Sequence, residues 1–164
     1  MEIRVYAADL VRFVLRWGIT GSLLLSAYLI IAWQTAFFGL LRAGPDSPRR
    51  NFLRASLLTG LGSILMYIAL MVVADMQDLA AGGTRPTFSF LLAHNYTVYI
   101  FWLLFDTVVI DILLVTVWRP GFLRLPAAVE HGSVTYHLRT IPRGLILGMP
   151  VTLVATGIVL LLLR

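Results

Sequence analysis

The order of apolar and polar residues divides the chain into four long apolar stretches separated by polar connections. A helix needs roughly 20 apolar residues to cross the ~30 Å hydrocarbon core of a bilayer, and each stretch reaches that length. Backbone groups inside lipid must be hydrogen-bonded within their own segment, so each stretch is predicted to be a helix. The predicted spans are residues 17–41, 55–74, 96–118 and 144–163.

The first 16 residues have a different pattern. Ile3, Tyr6, Leu10 and Phe13 recur at helical spacing, and charged residues occupy the opposite side. This pattern is typical of an amphipathic helix lying in the headgroup plane, and docking on a partner protein is the alternative. The sequence therefore predicts an all-α fold, an integral membrane four-helix bundle with an N-terminal amphipathic interfacial helix over residues 1–16. Residues 1–164 form a single transmembrane domain in this prediction.

Composition supports a membrane environment and limits the chemistry. The 164 residues are 59% hydrophobic and 13% charged, with a mean hydropathy of +0.88, whereas a soluble domain carries about 25% charged residues. Cysteine is absent and every basic residue is arginine, which excludes disulfides, thiolate metal sites and lysine nucleophiles. The chain has no phosphate-binding loop, zinc-protease motif or nucleophile elbow, so an enzyme is not favoured.

The arginines predict an orientation. Connections 42–54 and 119–143 hold eight of them, against five in the N-terminal segment, the connection 75–95 and the C-terminus together. The positive-inside bias places the two arginine-rich connections in the cytoplasm of a bacterial cell and both termini outside its inner membrane. No cleaved signal peptide is expected. The net charge of +5 fits anionic lipid headgroups, and nucleic acid is not an expected partner.

Two aspartates interrupt the third predicted span. Asp106 lies about halfway along it, roughly 15 Å from either end, and Asp111 is nearer the cytoplasmic side. A charged carboxylate at the centre of a span costs a few kcal/mol unless it is protonated, hydrogen-bonded or hydrated. In an α-helix, five residues correspond to about 140° of rotation, so the two side chains are not expected on one face.

Residues at matching depths on the first two spans are candidate partners. Tyr28 and Tyr67 lie near the predicted depth of Asp106. Asp111 is predicted to lie level with Gln34, Thr35, Thr59 and Ser63, and within reach of Arg54 or Arg143 for an ion pair. The aspartates then form either a proton- or cation-responsive site or interhelical hydrogen bonds, which contribute about 0.6 kcal/mol on average.

The fourth span carries small residues at every fourth position, namely Gly144, Gly148, Thr152 and Thr156. Small residues allow helix backbones to approach closely in lipid, where hydrophobic attraction between helices is lacking. Packing within the chain is the favoured interpretation, and a subunit contact is the alternative. Pro150 is expected to kink this helix.

Candidate cofactor ligands are few. No predicted span has an interior histidine, which argues against a b-type haem, and no metal or other cofactor is predicted. His94, just before the third span, leaves a single-ligand pigment as an option. His131 and His137 could form a zinc site with Glu130, although solvated loop histidines are the favoured interpretation.

Four arginines of the third connection could bind phosphate headgroups, or could be ordinary positive flanks of the spans. They are Arg119, Arg124, Arg139 and Arg143.

Three functions fit these observations. The leading one is a non-catalytic accessory or scaffold subunit of a larger membrane complex, with lipids and other membrane subunits as partners. The second is a small proton- or ion-coupled transporter or channel that uses Asp106. The third is a lipid-headgroup-binding protein or enzyme that uses the cytoplasmic arginines.

Overall fold

A computed structural model describes four stretches of the chain. The backbone is described for residues 2–34, 49–80, 86–121 and 133–164, and the side chains for residues 9–31, 60–80, 86–121 and 133–164.

Four helices make up almost all of the described chain. They are α1 (Glu2–Gln34), α2 (Arg49–Ala80), α3 (Phe88–Phe105) with its direct π-helical continuation (Asp106–Trp118, the π segment), and α4 (Val134–Leu162). Each rod contains a run long and apolar enough to cross a membrane, over Asp9–Ile31, Gly60–Ala80, Phe88–Trp118 and Val134–Leu162. The predicted all-α fold with four membrane-length helices is confirmed.

The helix starts differ from the predicted spans. α3 begins at Phe88 and α4 at Val134, well before the predicted positions 96 and 144. Thr87 and Ser133 cap these helices. Each hydroxyl oxygen accepts a hydrogen bond from the backbone N–H three residues later, which is Phe90 at 3.3 Å and Tyr136 at 3.2 Å. The first helix has no break near residue 16, so the predicted interfacial segment is the first half of α1.

An indole fixes α3 against α1. Trp102 is 1% exposed, and its Nε1–H donates to the carbonyl oxygens of Trp17 and Gly18 at 3.0 and 3.1 Å. A Cβ at Gly21 would collide with the indole ring. Glycine at this position therefore lets the two helices approach closely.

The same arrangement joins α3 to α4. A Cβ at Gly148 would collide with the Tyr99 ring, and one at Gly144 would lie 2.7 Å from Leu103. The Tyr99 hydroxyl donates to the Gly144 carbonyl oxygen at 2.9 Å. The small residues of α4 are thus used for packing inside this chain.

The π segment has wider turns than an α-helix. The Thr116 hydroxyl donates to the Asp111 carbonyl oxygen at 2.8 Å, and the Arg119 N–H donates to the Leu114 carbonyl oxygen at 3.0 Å. Both bonds reach back five residues, whereas an α-helix bonds over four. The segment ends where Arg119 adopts a left-handed conformation at φ 47°.

Candidate functional site

The π geometry brings the two predicted aspartates to one side of their helix. Bonds from i to i+5 place residues i and i+5 one above the other, as i to i+4 bonds do in an α-helix. Asp106 and Asp111 are five residues apart, and so are Ile110 and Val115, both of which are buried. The predicted rotation of about 140° is therefore wrong, because it assumed α-helical geometry throughout.

Asp111 is paired with a histidine of α4. Its Oδ2 lies 3.2 Å from Nδ1 of His137, whose side chain is 9% exposed. The prediction that His137 lies in a solvated loop is wrong, because α4 starts three residues earlier, at Val134. Arg143, one of the two cations predicted to pair with Asp111, is exposed on α4, and the other, Arg54, lies outside the described side chains.

The second ring nitrogen of His137 is buried as well. Nε2 has no hydrogen-bond partner among the described residues. The hydroxyl of Thr140 donates to the His137 carbonyl oxygen at 2.6 Å. This hydrogen bond joins two residues three apart in the first turns of α4.

Tyr67 of α2 belongs to an aromatic group formed by α2 and α3. Tyr67 of α2 is within electrostatic range of both Asp106 and Asp111. Its ring centroid lies 5.4 Å from that of Tyr99 and 5.6 Å from that of Trp102. Of the two tyrosines predicted at the depth of Asp106, Tyr67 is thus within electrostatic range of it, while the Tyr28 hydroxyl lies against Gly62 of α2.

A second polar group connects α2, α3 and α4 nearer the other end of the bundle. The Asn95 amide nitrogen donates to Asp75 Oδ2 at 2.8 Å and to Thr156 Oγ1 at 3.1 Å. These three side chains are at most 2% exposed. Thr152, one turn from Thr156, is also fully buried and donates to carbonyl oxygens of its own helix.

This group lies beside a cleft of about 510 Å³ between α1, α2 and α3. Its polar lining consists of two arginines of α1, three aspartates, one histidine and one threonine, and its apolar lining is mainly aromatic residues and leucines. The lining residues are Asp9, Arg12, Phe13, Arg16, Trp17, Asp75, Asp78, Leu79, Pro86, Thr87, Phe90, Leu91 and His94.

His94 is 2% exposed at the wall of this cleft. Its ring lies 4.7 Å from Phe13 of α1 and 4.1 Å from Phe90 of α3, measured between centroids. Asp78 and Asp9 are within electrostatic range of it. The pigment option at His94 stays a prediction.

The remaining predicted residues are placed as follows. Arg119, Arg139 and Arg143 are exposed, and the Arg119 Nε–H donates to the Thr116 carbonyl oxygen at 3.1 Å. Arg124, Glu130 and His131 lie outside the described residues, as do Thr35 and the side chains of Gln34 and Thr59. Within the described part of the chain, no three acidic or histidine side chains are grouped as metal ligands.

Sequence reasoning missed Asp75 and Asn95. The hydropathy pattern places both residues in the connection 75–95, because Asp75 directly follows the second apolar stretch and Asn95 directly precedes the third. Helical spacing was the available signal, since Asn95, Tyr99, Trp102 and Asp106 follow one another at intervals of three or four. Extending the third helix by two turns would have placed Asn95 on its inward face.

Neither a family model nor a curated protein nor a solved structure matches this chain.

Proposed function

We propose that this chain moves protons across the membrane, as a small proton-coupled transporter or proton channel. The observation that supports it best is the π segment, which puts Asp106 and Asp111 on one side of α3's continuation, with His137 against Asp111. Local π geometry is rare and is found frequently at functional sites. Carboxylates and histidines in series inside a membrane are typical of proton relays.

The energetic cost of the aspartates favours a functional role. Removing a carboxylate from water costs several kcal/mol even after relaxation, and a protein keeps such a group in a span when it is paired or used. Asp111 has a partner in His137. Asp106 is within electrostatic range of Tyr67 and Asp111. Neither is a cation that would fix a negative charge on Asp106.

The subunit hypothesis loses one of its arguments. Gly148, Thr152 and Thr156 are buried in the bundle and Gly144 packs against Leu103, so packing within the chain accounts for these small residues without another protein. A subunit role, headgroup binding by the cytoplasmic arginines and the predicted orientation stay predictions. In that orientation the Asp111–His137 pair is on the cytoplasmic side and the cleft is on the external side.

Proteoliposomes test the proposal. A potassium diffusion potential, negative inside, is imposed with valinomycin, and an internal pH dye follows proton entry. We expect the wild type to acidify the interior at least several-fold faster than protein-free liposomes. Asp106→Asn should remove most of this difference, because an amide cannot release and rebind a proton.

Thr20→Val on the exposed side of α1 is the matched control and should retain the wild-type rate. Size-exclusion elution and helical circular dichroism must be unchanged in both variants. A wild type no faster than empty liposomes, or a folded Asp106→Asn variant as fast as the wild type, would rule out proton movement through this site.

A further inference from the structure

The cleft carries two arginines and Asp9 on α1, and two aspartates on the facing helix α2. Arg12 and Arg16 of α1 are four residues apart, and Asp75 and Asp78 of α2 are three apart, so each pair lies on one side of its helix. All four line the cleft. These four side chains lie within the described part of the chain, and no ion pair within 4.0 Å joins an arginine of the four to an aspartate of the four. The arginines and aspartates of the cleft therefore stand farther apart than direct salt bridges.

Separated charges across a cavity are suited to a ligand that carries both signs. Guanidinium groups bind phosphate through several parallel hydrogen bonds. A carboxylate is an acceptor for the three N–H donors of a primary ammonium group. Asp75 is 2% exposed and bonded to Asn95 at 2.8 Å behind the cleft wall, so the exposed Asp78 is the carboxylate that a ligand reaches.

The apolar lining indicates that the ligand is an amphiphile. Phe13, Trp17 and Phe90 line the cleft together with Leu79 and Leu91. Arg16 lies over the Trp17 ring, 5.5 Å from its centroid, and Trp and Arg at the end of a span are typical of the membrane–water interface. A phosphate and an ammonium group would be bound in the cleft, with an aliphatic part along these side chains.

From these contacts we infer that the cleft binds a phosphate ester bearing a primary ammonium group, the chemistry of an aminophospholipid headgroup. Phosphate faces Arg12 and Arg16 of α1, and the ammonium group faces Asp78 of α2, with the buried Asp75 one turn behind it. The inference rests on the proposed function only for the use of this ligand as a carried substrate. Binding itself is independent of proton movement.

Calorimetric titration of the purified protein in a nonionic detergent tests the inference. The probes are short-chain phosphatidylethanolamine, the corresponding phosphatidylglycerol, which lacks the ammonium group, and phosphatidylcholine, whose ammonium has no N–H donor. We expect phosphatidylethanolamine to bind at least tenfold more tightly than either. Equal affinity for all three would overturn the inference.

Variants assign the two halves of the ligand. The double change Arg12→Gln and Arg16→Gln should weaken phosphatidylethanolamine binding at least tenfold, while Asp78→Asn should reduce the preference over phosphatidylglycerol. Arg164→Gln, exposed after the end of α4 and outside the cleft lining, is the control and is expected to bind like the wild type. If the double variant and this control bind alike while their melting temperatures are unchanged, the cleft is not the site.

Competition by water-soluble phosphoethanolamine distinguishes the source of the ligand. If phosphoethanolamine displaces the lipid at comparable concentrations, the headgroup alone is sufficient for binding. If it does not, the ligand is the whole lipid. Both results support the inference. Running the proton assay in liposomes with and without phosphatidylethanolamine separates the two proposals. Binding without proton entry in either kind of liposome leaves the cleft assignment standing and rejects the proposed function.

Discussion

At the scale of single residues, the buried side chain of Asn95 joins three helices. Its amide nitrogen bonds both Asp75 and Thr156, and all three residues are at most 2% exposed. A buried acceptor that loses its donor keeps the full cost of leaving water. The amide therefore contributes mainly by satisfying Asp75.

Asn95→Leu should destabilise the protein by about 1–3 kcal/mol, because Asp75 loses this hydrogen bond without regaining water. The measurement is reversible unfolding in detergent micelles. The double variant Asp75→Leu and Asn95→Leu should recover part of the loss, since neither partner then remains. This account would be contradicted if the double variant lost more free energy of unfolding than the two single variants lose in sum.

The structure pairs Asp111 with His137, whereas the sequence predicts an arginine as its partner. A double-mutant cycle with Asp111→Asn and His137→Gln should give a coupling of about 1 kcal/mol, because the Asp111 side chain is 32% exposed and partly screened. The same cycle with Arg143→Gln should give none. Coupling to Arg143 rather than His137 would contradict the observed pairing.

At the scale of helices, packing depends on aromatic side chains of α3 lying over glycines of its neighbours. Trp102 covers Gly21 of α1, and Tyr99 covers Gly148 of α4. Each ring also donates a hydrogen bond to a helix carbonyl oxygen. This combination of close approach and polar contact replaces hydrophobic attraction, which lipid does not supply.

Gly148→Ala should therefore destabilise the bundle by about 1–3 kcal/mol, as overpacked substitutions do. Gly157→Ala on the same helix is the control, since nothing lies within 4 Å of the added Cβ. Thermal unfolding of the two variants in the same detergent compares them directly. Equal melting temperatures for both variants would show that the close contact between Gly148 and Tyr99 does not limit the stability of the bundle.

At the scale of the whole molecule, orientation is open to a direct experiment because the chain has no cysteine. Single cysteines at Ser47 and Gly121 should react with a membrane-impermeant maleimide only after the cells are broken. One at Thr84 should react in intact cells. The reverse pattern would put the cleft on the cytoplasmic side and contradict the arginine-based prediction.

The accessory-subunit prediction is also tested on the whole molecule. A subunit should travel in fixed stoichiometry with larger proteins when purified from its own membrane in a mild detergent, and mass spectrometry identifies them. A proton-moving protein that acts alone should elute as a stable species without them. The second result, together with proton entry, would favour the proposed function over the subunit role.

The sequence by itself determined the solvent and the class of fold. Four apolar runs of membrane length leave helices as the structures that satisfy the backbone in lipid, and this holds whatever the helices contact. It also identified Asp106 and Asp111 as the costly residues of the third span, because charge in hydrocarbon is visible from composition alone.

Tertiary structure decided where those residues point and what they meet. The π segment changes the direction of Asp111 relative to Asp106, and this depends on small differences in hydrogen bonding that no periodicity reveals. Asp75 and Asn95 become buried because α3 begins at Phe88 and packs against α1 and α4, while α2 also packs against α4. Polar residues at the ends of spans look like loop residues in sequence, and only the neighbouring helices determine that they are enclosed.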